Sequence, residues 1–473
     1  MQPIDIGDLS FDRNASSLQK QLFSSIRAKI TAHLWPKGGK LPSTRKCSTE
    51  LAISRNTVIA VYEQLVSEGY LESKVGSGYY VAIELPESLF ASHELVERSN
   101  QQQERVAVDI NRSFAPGVPE LSSFPMVKWS RLLQRHATRV NLLGNQDLQG
   151  DLGLRQALCD YLSSSRSVSC SVDQIIITSG AQQALSLAVM STVGSQESLL
   201  METPGYVQMR KIIELLGIKS EPVSVQPRLG LDLSQVMASQ AKALYVTPSN
   251  QYPMGTTIDL EQRIELIRWA KEHERWIIED DYDSEFQFAH RPFPSLQGLS
   301  VEVGAAASVL YVGSLSKVMF NGLRLGYLIV PKSLVARCLE IKDALSGDTP
   351  THVQAALTDF IVEGDFLRHV RKMRRIYKQK HTAMVEAIAR HFPDDIEVIS
   401  QAAGLHVTLR WFGGVCESDF CNQAKKKDII LRPLSMYEAQ PRDNRQWQGA
   451  VLGFGNIHID EIDSKIAELA ELL

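Results

Sequence analysis

The sequence VLYVGSLSKVMFNGLRLGY, residues 309–327, is the stretch that decides the expected fold. It begins with the apolar, β-branched run from Val309 to Val312, whose length and composition predict a buried strand. Lys317 follows the end of that strand among small and hydroxylated residues. Strand ends are where α/β sheets place ligands, although a single lysine is more often a solvated surface charge.

Arg324 lies seven residues further on, within the apolar run GLRLGYLIV. We expect it to meet an anion, because an unpaired guanidinium among apolar residues is costly, and phosphate is the natural candidate. A lysine withdrawn from water has a lowered pKa and forms a Schiff base with an aldehyde. The aldehyde cofactor that carries a phosphate is pyridoxal 5'-phosphate (PLP). The stretch therefore predicts a PLP site.

Ser-x-x-Lys followed by Gly-Leu-Arg-Leu-Gly closely resembles the arrangement in fold-type I PLP enzymes of the aspartate aminotransferase class. The resemblance implies an α/β domain with a large and a small subdomain, in which Lys317 forms the internal aldimine. The chain beyond Val106 agrees, because apolar strands alternate there with amphipathic helices. That alternation favours an α/β sheet covered on both faces.

Composition bounds the class of protein. The chain has 473 residues, of which 44% are hydrophobic and 22% charged, as expected for a globular protein of two or three domains. No signal peptide and no run of about 18 apolar residues is found, so we expect a cytoplasmic protein without a membrane partner. The 6 cysteines form no C-x-x-C pair, which predicts reduced, structural thiols and no metal site.

The first 85 residues carry a slight excess of basic over acidic residues, and three helices are predicted among them. Apolar residues recur at helical spacing from Leu18 to Leu34, and Pro36 to Gly39 end that helix. A short second helix runs from Thr44 to Leu51. Ser54 is a good N-cap for a third helix, which buries Val58, Val61, Tyr62 and Leu65.

Helices of this size place the start of the last helix in a DNA major groove. Two strands, 70–73 and 78–81, then form a hairpin that can lie along the DNA backbone. The stretches KLPSTR, SRNTV, EGYLES and GSGYYV resemble the winged helix-turn-helix of GntR regulators. The alternative is a small three-helix packing unit with ordinary surface arginines. The expected DNA contacts are Arg45, Arg55 and Thr57, followed by Ser43, Asn56, Lys74 and Ser77.

Three segments are therefore expected: a winged helix-turn-helix domain over 12–82, a polar, Gln-rich linker over 83–106, and an aminotransferase-like domain over 107–473. In the last, the strand ending at Thr178 is followed by Ser179-Gly180-Ala181 and a helix, which is either a phosphate cradle or a generic strand-to-helix turn. Further cofactor contacts are implied by the resemblance: Gly180, Ala181 and Gln182 at the phosphate, Tyr206 on the ring face, Asn250 and Tyr282 near the phenolic oxygen, Asp280 at the pyridine nitrogen, and Ser314 and Arg324.

Nearly the whole chain resembles the MocR/GabR class of transcription regulators, in which an aminotransferase-like domain senses an effector. The resemblance implies a homodimer that binds operator DNA. Two arginines expected to hold a carboxylate are replaced, by Gln208 and Val451, which predicts that the effector is PLP itself or an amine-type compound without a conventional α-carboxylate. Arg432, Arg442 and Arg445 could supply a displaced anchor, although arginines in so polar a C-terminal segment are more often solvated.

Two other readings stay open. One is a working aminotransferase with an accessory winged-helix module, against which Val451 argues. The other is a DNA-binding structural protein with a vestigial cofactor site, which the retained Lys317, Asp280 and Arg324 disfavour.

Overall fold

The computed structural model describes residues 4–7, 9, 11, 17–83, 112–288, 293–439 and 445–473. The chain divides into two compact units, Met1–Val106 and Ala107–Leu473, each of which is described by itself. Nearly all of the predicted linker, from residue 84 to residue 106, lies outside the described residues. The linker and the domain boundaries stay predictions.

The N-terminal unit holds three helices and a hairpin: α1 (Leu18–Thr31), α2 (Thr44–Glu50), α3 (Arg55–Ser67), β1 (Leu71–Lys74) and β2 (Gly78–Val81). Each helix starts at a serine whose side chain accepts a hydrogen bond from the third residue after it, and Ser54 caps α3 as predicted. The prediction that α1 reaches Leu34 is wrong, because the helix ends at Thr31 and Leu34 is 63% exposed.

The core of this unit extends beyond the predicted helices. Ile4 and Ile6 are buried in it beside the apolar faces of α1 and α3. The Ile4 amide donates to the carbonyl of Lys40 at 3.0 Å, and Lys40 itself forms a β-bridge with Tyr80 of β2. Ile4 and Ile6, which precede the predicted start at residue 12, thus pack on the same core as the helices.

The larger unit is built on an eight-stranded sheet in the order β3-β10-β9-β8-β7-β4-β5-β6. Neighbours from β9 to β5 run parallel, whereas β10 is antiparallel to both β3 and β9. The strands are β3 (Ile175–Thr178), β4 (Ser198–Thr203), β5 (Lys219–Gln226), β6 (Gly230–Leu231), β7 (Ala243–Val246), β8 (Trp276–Asp281), β9 (Val309–Ser314) and β10 (Gly326–Ile329).

Helices cover both faces of this sheet, as predicted. Tyr311 of β9 packs into one hydrophobic cluster, while its neighbours Leu310 and Val312 pack into another on the opposite face. The helices are α4 (Met126–Ala137), α5 (Leu152–Arg166), α6 (Ala181–Thr192), α7 (Val207–Leu215), α8 (Leu233–Ala238), α9 (Leu260–Glu272), α10 (Leu296–Glu302), α11 (Lys332–Leu345), α12 (Thr351–Val362), α13 (Asp365–His391), α14 (Glu417–Lys426) and α15 (Ile462–Ala470).

A second, antiparallel sheet follows in the order β11-β12-β14-β13. Its strands are β11 (Glu397–Val398), β12 (His406–Trp411), β13 (Arg432–Pro433) and β14 (Gln448–Gly453). The strand β12 begins at His406, whose Nε2 donates to the carbonyl oxygen of Pro253, in the segment after β7, at 3.0 Å. The small sheet therefore contacts the segment that follows the carboxyl end of β7, and the carboxyl ends of parallel strands are where α/β sheets place ligands.

Candidate functional site

Lys317 follows β9 and is half-buried. Its amine donates to the carbonyl oxygen of Gly117, a residue 200 positions away in the chain. Gly117 has a φ of 84°, a conformation that favours glycine, and a Cβ there would lie 2.8 Å from Lys317 Nζ. Burial lowers the pKa of Lys317 to about 8, Asp283 opposes that effect, and the charge of Arg432 adds to it. The amine is thus available as a nucleophile near neutral pH.

Asp280 lies at the end of β8, beside β9, and is only 3% exposed. Its Oδ2 accepts a hydrogen bond of 2.8 Å from the hydroxyl of Tyr245, while its buried Oδ1 has no hydrogen-bond partner among the described residues. Burial raises the pKa of Asp280 to about 7, against the effect of Tyr245 and with a contribution from Asp281. A buried carboxylate with an unsatisfied oxygen is suited to a cationic N–H donor.

Gly180 caps α6 with a φ of 96°, a conformation that favours glycine. A Cβ there would lie 3.3 Å from the Arg324 guanidinium, so this side chain sits directly over the start of α6. Arg324 donates to the Ser179 carbonyl at 3.2 Å and lies 3.5 Å from the Gln182 amide oxygen. Contrary to the expectation from its apolar run, Arg324 is exposed. Helix N–H groups of Ala181 and Gln182 and a guanidinium together form a phosphate-type cradle.

Three of the remaining predicted cofactor residues, Tyr282, Asn250 and Tyr206, are connected through contacts with one another and with Tyr252. The Tyr282 hydroxyl donates to the Asn250 carbonyl at 2.8 Å and accepts from Asn250 Nδ2 at 3.2 Å, whereas the buried Asn250 Oδ1 has no partner among the described residues. Tyr206 precedes α7 and packs edge-on against Tyr252, with ring centroids 6.3 Å apart. Ser314, the last residue of β9, accepts from the Ser316 amide at 3.3 Å.

These residues fit PLP on their own geometry. The Asp280 Oδ1 offers an acceptor for a pyridinium N–H, the start of α6 with Arg324 offers donors for a phosphate, and Lys317 offers an amine for the aldehyde. The buried Oδ1 atoms of Asp280 and Asn250 lack hydrogen-bond donors, which a polar aromatic ligand would supply.

Several residues of the site were not predicted from sequence. Tyr245 contacts Asp280, and Gly117 contacts Lys317. Asp283 accepts from Asn250 Nδ2 at 3.1 Å. Their signals were weak, because each contact joins segments far apart in the chain. Val451 is fully buried in β14, and Arg432 of β13 lies directly opposite it.

Arg445 and Arg442 are the other two candidate carboxylate anchors. Arg445 is held by Glu417 at 2.8 Å and Glu438 at 2.7 Å, so its guanidinium is committed to an ion-pair network. Arg442 lies outside the described residues.

Six of the seven predicted DNA contacts lie at exposed positions of the N-terminal unit. Ser43 caps α2 and Arg45 lies in its first turn. Arg55, Asn56 and Thr57 form the first turn of α3, where Arg55 and Asn56 are exposed, while Thr57 is partly buried and bonds to Ser54. Major-groove recognition uses this end of a helix.

Lys74 lies where the hairpin turns. The first strand was predicted over 70–73, one residue earlier than β1, and β1 ends at Lys74. Lys74 Nζ lies 2.8 Å from Glu72 and 4.8 Å from the centroid of the Tyr80 ring, and the Ser77 hydroxyl lies 2.6 Å from that of Tyr80. Lys40, which the sequence did not single out, lies over the same ring at 5.7 Å.

Two negative findings concern the described residues alone. None of their helices is long and apolar enough to cross a membrane. Within the same parts of the chain, no group of three or more His, Cys, Asp or Glu side chains is placed to hold a metal ion.

Comparison with protein families gives two matches. Residues 117–445 match the family described as aminotransferase class I and II, and residues 18–81 match the bacterial regulatory proteins of the gntR family. The first match covers most of the chain.

Curated relatives align over almost the full length. A probable rhizopine catabolism regulatory protein, MocR, from Rhizobium meliloti is 33% identical over 95% of this chain and 92% of its own. The pyridoxine biosynthesis transcriptional regulator PdxR from Corynebacterium glutamicum is 28% identical over 96% of each chain.

Solved structures support the fold of the larger unit. LysN, an α-aminoadipate aminotransferase from Thermus thermophilus, has a TM-score of 0.70 at 23% identity and covers 77% of this chain and 92% of its own. A kynurenine aminotransferase from Pyrococcus horikoshii has a TM-score of 0.70 at 22% identity, covering 82% and 97%. At this level of identity, the similarity concerns the fold alone.

Proposed function

Because the chain belongs to the MocR/GabR-type transcription regulators, with a GntR-type DNA-binding domain fused to an aminotransferase-like domain, we propose that its larger unit binds PLP. PLP, or a small amine-type compound that reaches the bound cofactor, then controls how the N-terminal unit binds operator DNA. The relatives are transcription regulators, which favours this function over that of an aminotransferase with an accessory module.

The observation that carries the proposal is the buried Oδ1 of Asp280, which has no partner among the described residues. Leaving a buried carboxylate oxygen unsatisfied is costly, and a protonated pyridine nitrogen would satisfy it. Lys317, with its pKa lowered to about 8, is the amine at the same site. Burying these two ionisable groups costs folding free energy, so their presence favours a working site over a vestigial one.

Each residue of the site has a separate task in this proposal. PLP supplies an aldehyde that an amine can capture, and Lys317 holds it covalently through Nζ. Asp280 keeps the pyridine nitrogen protonated, while the start of α6 and Arg324 hold the phosphate. Asn250 and Tyr282, which bond to each other, border the phenolic oxygen, and Tyr206 covers the ring.

On the DNA side, we propose that Arg55 reads a base edge from the start of α3, with Asn56 and Thr57 beside it. Ser43, Arg45, Lys74 and Ser77 contact the backbone. Because most soluble oligomers have two-fold symmetry and fold-type I sites are built between two subunits, the operator is expected to be a pseudo-palindrome bound by a homodimer.

The test is to incubate the purified full-length protein with PLP, reduce it with borohydride and map the modified peptide. We expect a visible absorption band before reduction and a phosphopyridoxyl group on Lys317 afterwards. Lys342 is an internal control, because its pKa is also lowered to about 8 by burial, yet it bonds to the Leu148 carbonyl elsewhere in the unit. Equal labelling of Lys317 and Lys342, or no label on Lys317, would overturn the proposal.

A further inference from the structure

A segment that follows β13 of the small sheet lies across the end of β4 and the start of α7. It consists of residues 436–439, and two backbone amides join it to the large sheet. The Gly205 amide donates to the carbonyl of Tyr437 at 2.9 Å, and the Ala439 amide donates to Thr203 Oγ1 at 3.0 Å. The segment is therefore bonded to the residues that lead from β4 into α7.

Arg210 of α7 fastens the same segment with its side chain. Its Nη2 donates to the carbonyl of Met436 at 2.8 Å, and its Nη1 donates to the carbonyl of Glu438. A guanidinium presents its donors in a rigid fork, so one arginine bridges two carbonyls that lie two residues apart. The Arg210 amide also donates to the Tyr206 carbonyl at 3.3 Å, so the same residue is bonded to the segment and to Tyr206.

The segment reaches the ring of Tyr206 as well as its backbone. Tyr437 is buried, and its hydroxyl lies 3.0 Å from the hydroxyl of Tyr252. The Tyr252 ring in turn packs edge-on against the Tyr206 ring, with centroids 6.3 Å apart. Residues 436–439 thus constrain both the backbone around Tyr206 and the ring against which Tyr206 packs.

Tyr206 lies within electrostatic range of both ends of the proposed cofactor site. Burial raises the pKa of its hydroxyl above the ordinary value, Asp280 and Tyr252 add to that rise, and Arg324 opposes it. Asp280 is the proposed partner of the pyridine nitrogen, and Arg324 is a proposed partner of the phosphate. A ring held beside these two groups is placed to cover the cofactor that lies between them.

We propose that Arg210 is a positioning residue for the PLP site: it holds residues 436–439 across the start of α7 and thereby fixes Tyr206 where its ring covers the cofactor. Arg210 contacts no part of the cofactor and acts through Tyr206. A ring that is fixed before the ligand arrives does not have to be ordered when the ligand binds, which favours binding. This inference rests on the proposed PLP site.

The test is a double-mutant cycle on the full-length protein. Apoprotein of the wild type, of Arg210→Met, of Tyr206→Ala and of the double variant is titrated with PLP, and the visible band gives each apparent dissociation constant. Methionine keeps an apolar stem but cannot donate to the two carbonyls. Arg210→Met should weaken PLP binding about tenfold when Tyr206 is present, as expected for loss of charge-assisted hydrogen bonds. In the Tyr206→Ala background the same change should cost less than about twofold, because a residue that acts through another is not additive with it.

Circular dichroism of the visible band gives a second measurement, of how the bound ring is held. PLP is not chiral, so its dichroism arises from the groups around it, and Arg210→Met and Tyr206→Ala should both lower the ellipticity per unit of absorbance. Arg268→Met is the matched control, because it removes an exposed arginine from α9, and it should equal the wild type in affinity and dichroism. If Arg210→Met does not fold, Arg210→Lys takes its place in the cycle with smaller losses, since lysine keeps the charge without the fork.

The outcomes separate this inference from the function on which it rests. A wild-type protein that fails to take up PLP overturns the proposed function and this inference together. If PLP binds and the change at Arg210 leaves affinity and dichroism as in the wild type, only the role of Arg210 is overturned. The same holds if the change costs an equal factor with and without the Tyr206 ring, because the substitution then acts on the fold in general.

Discussion

Asp280 and Asp281 are adjacent in β8, and their side chains lie on opposite faces of the sheet with opposite shifts in pKa. Asp280 bonds to Tyr245, and burial raises its pKa to about 7. Burial alone would raise the pKa of Asp281 as well, but Arg166 at 2.8 Å, helped by Tyr311, holds it below its ordinary value. The protein itself thus supplies the hydrogen-bond partners of the Asp281 carboxylate, whereas Oδ1 of Asp280 is left for a ligand.

Asp280→Asn should weaken PLP binding about 30-fold or more, because the pyridinium loses its charged partner. The same change should stabilise the protein without PLP. In the wild type, the folded pKa is raised, so stability is lost as the pH rises from about 4 to 7 and the full cost applies above 7. Melting curves of the apoprotein at pH 5 and pH 8 check this: the gain of the variant should be larger at pH 8.

Asp281→Asn is the matched control, one residue away on the same strand. It breaks the buried pair with Arg166 and leaves a guanidinium uncompensated, which costs about 3 to 5 kcal/mol of folding free energy. The variant should therefore melt lower than the wild type at pH 7. If Asp280→Asn also lowers the melting temperature at pH 8, the carboxylate at 280 has a partner that this assignment misses.

The rate at which the apoprotein takes up PLP should rise with pH through about 8. Burial lowers the pKa of Lys317 to about 8, and only the neutral amine attacks an aldehyde. An ordinary lysine would show the rise near 10.4 instead. Stopped-flow absorbance over pH 6 to 10 measures the midpoint, and a midpoint above 10 would mean that Lys317 is fully solvated.

The lowered pKa of Lys317 also sets a sign for stability. A folded pKa below the unfolded value means that burying the charge is unfavourable, so the apoprotein should gain stability as the pH rises from about 8 to 10.5. Lys317→Met removes this cost. The variant should melt higher than the wild-type apoprotein at pH 7, and the difference should shrink toward pH 10.5.

Local chemistry explains which parts of the fold the sequence predicted. The strand before Lys317, the strand before Gly180 and the cap of α3 at Ser54 follow from short apolar runs and one capping residue. Arg324 shows the limit of this reasoning, because its neighbours are apolar but its own side chain is exposed over α6. Residue 324 has a φ of 51°, which turns the chain at that point.

Contacts between distant segments were beyond the sequence. The pairing of Arg432 with Val451 depends on the register of two strands, and the contact of Lys317 with Gly117 spans 200 residues. Lys40 joins the hairpin through a β-bridge to Tyr80, and Ile4 joins it through Lys40. No local period encodes such pairings, because a strand of two residues, such as β13, has too few positions to show one.

Arg55→Ala should weaken binding to the specific operator by about 1 to 3 kcal/mol and have little effect on random DNA, because a base-edge contact carries sequence information. Lys74→Ala should weaken both DNAs alike and lower the dependence of binding on salt. Lys20→Ala on the exposed part of α1 serves as the control for loss of one positive charge. Titrations at several salt concentrations distinguish the three, and an equal loss for Arg55→Ala on both DNAs would contradict base reading.

Loading with PLP should change the affinity for operator DNA. A ligand shifts an equilibrium between two states only by the ratio of its affinities for them, so a tenfold change in DNA binding requires about 1.4 kcal/mol of preference for one state. The probe is a duplex from the region upstream of the protein's own gene, titrated with apoprotein, with PLP-loaded protein and with Lys317→Ala. We expect the first two to differ and the variant to give the same affinity with and without PLP. Asp281→Asn, which leaves the cofactor contacts in place, should still respond to PLP wherever it remains folded. Identical operator binding by apo and loaded wild-type protein, with PLP demonstrably on Lys317, would separate the cofactor from regulation and leave the amine-type compound as the remaining signal.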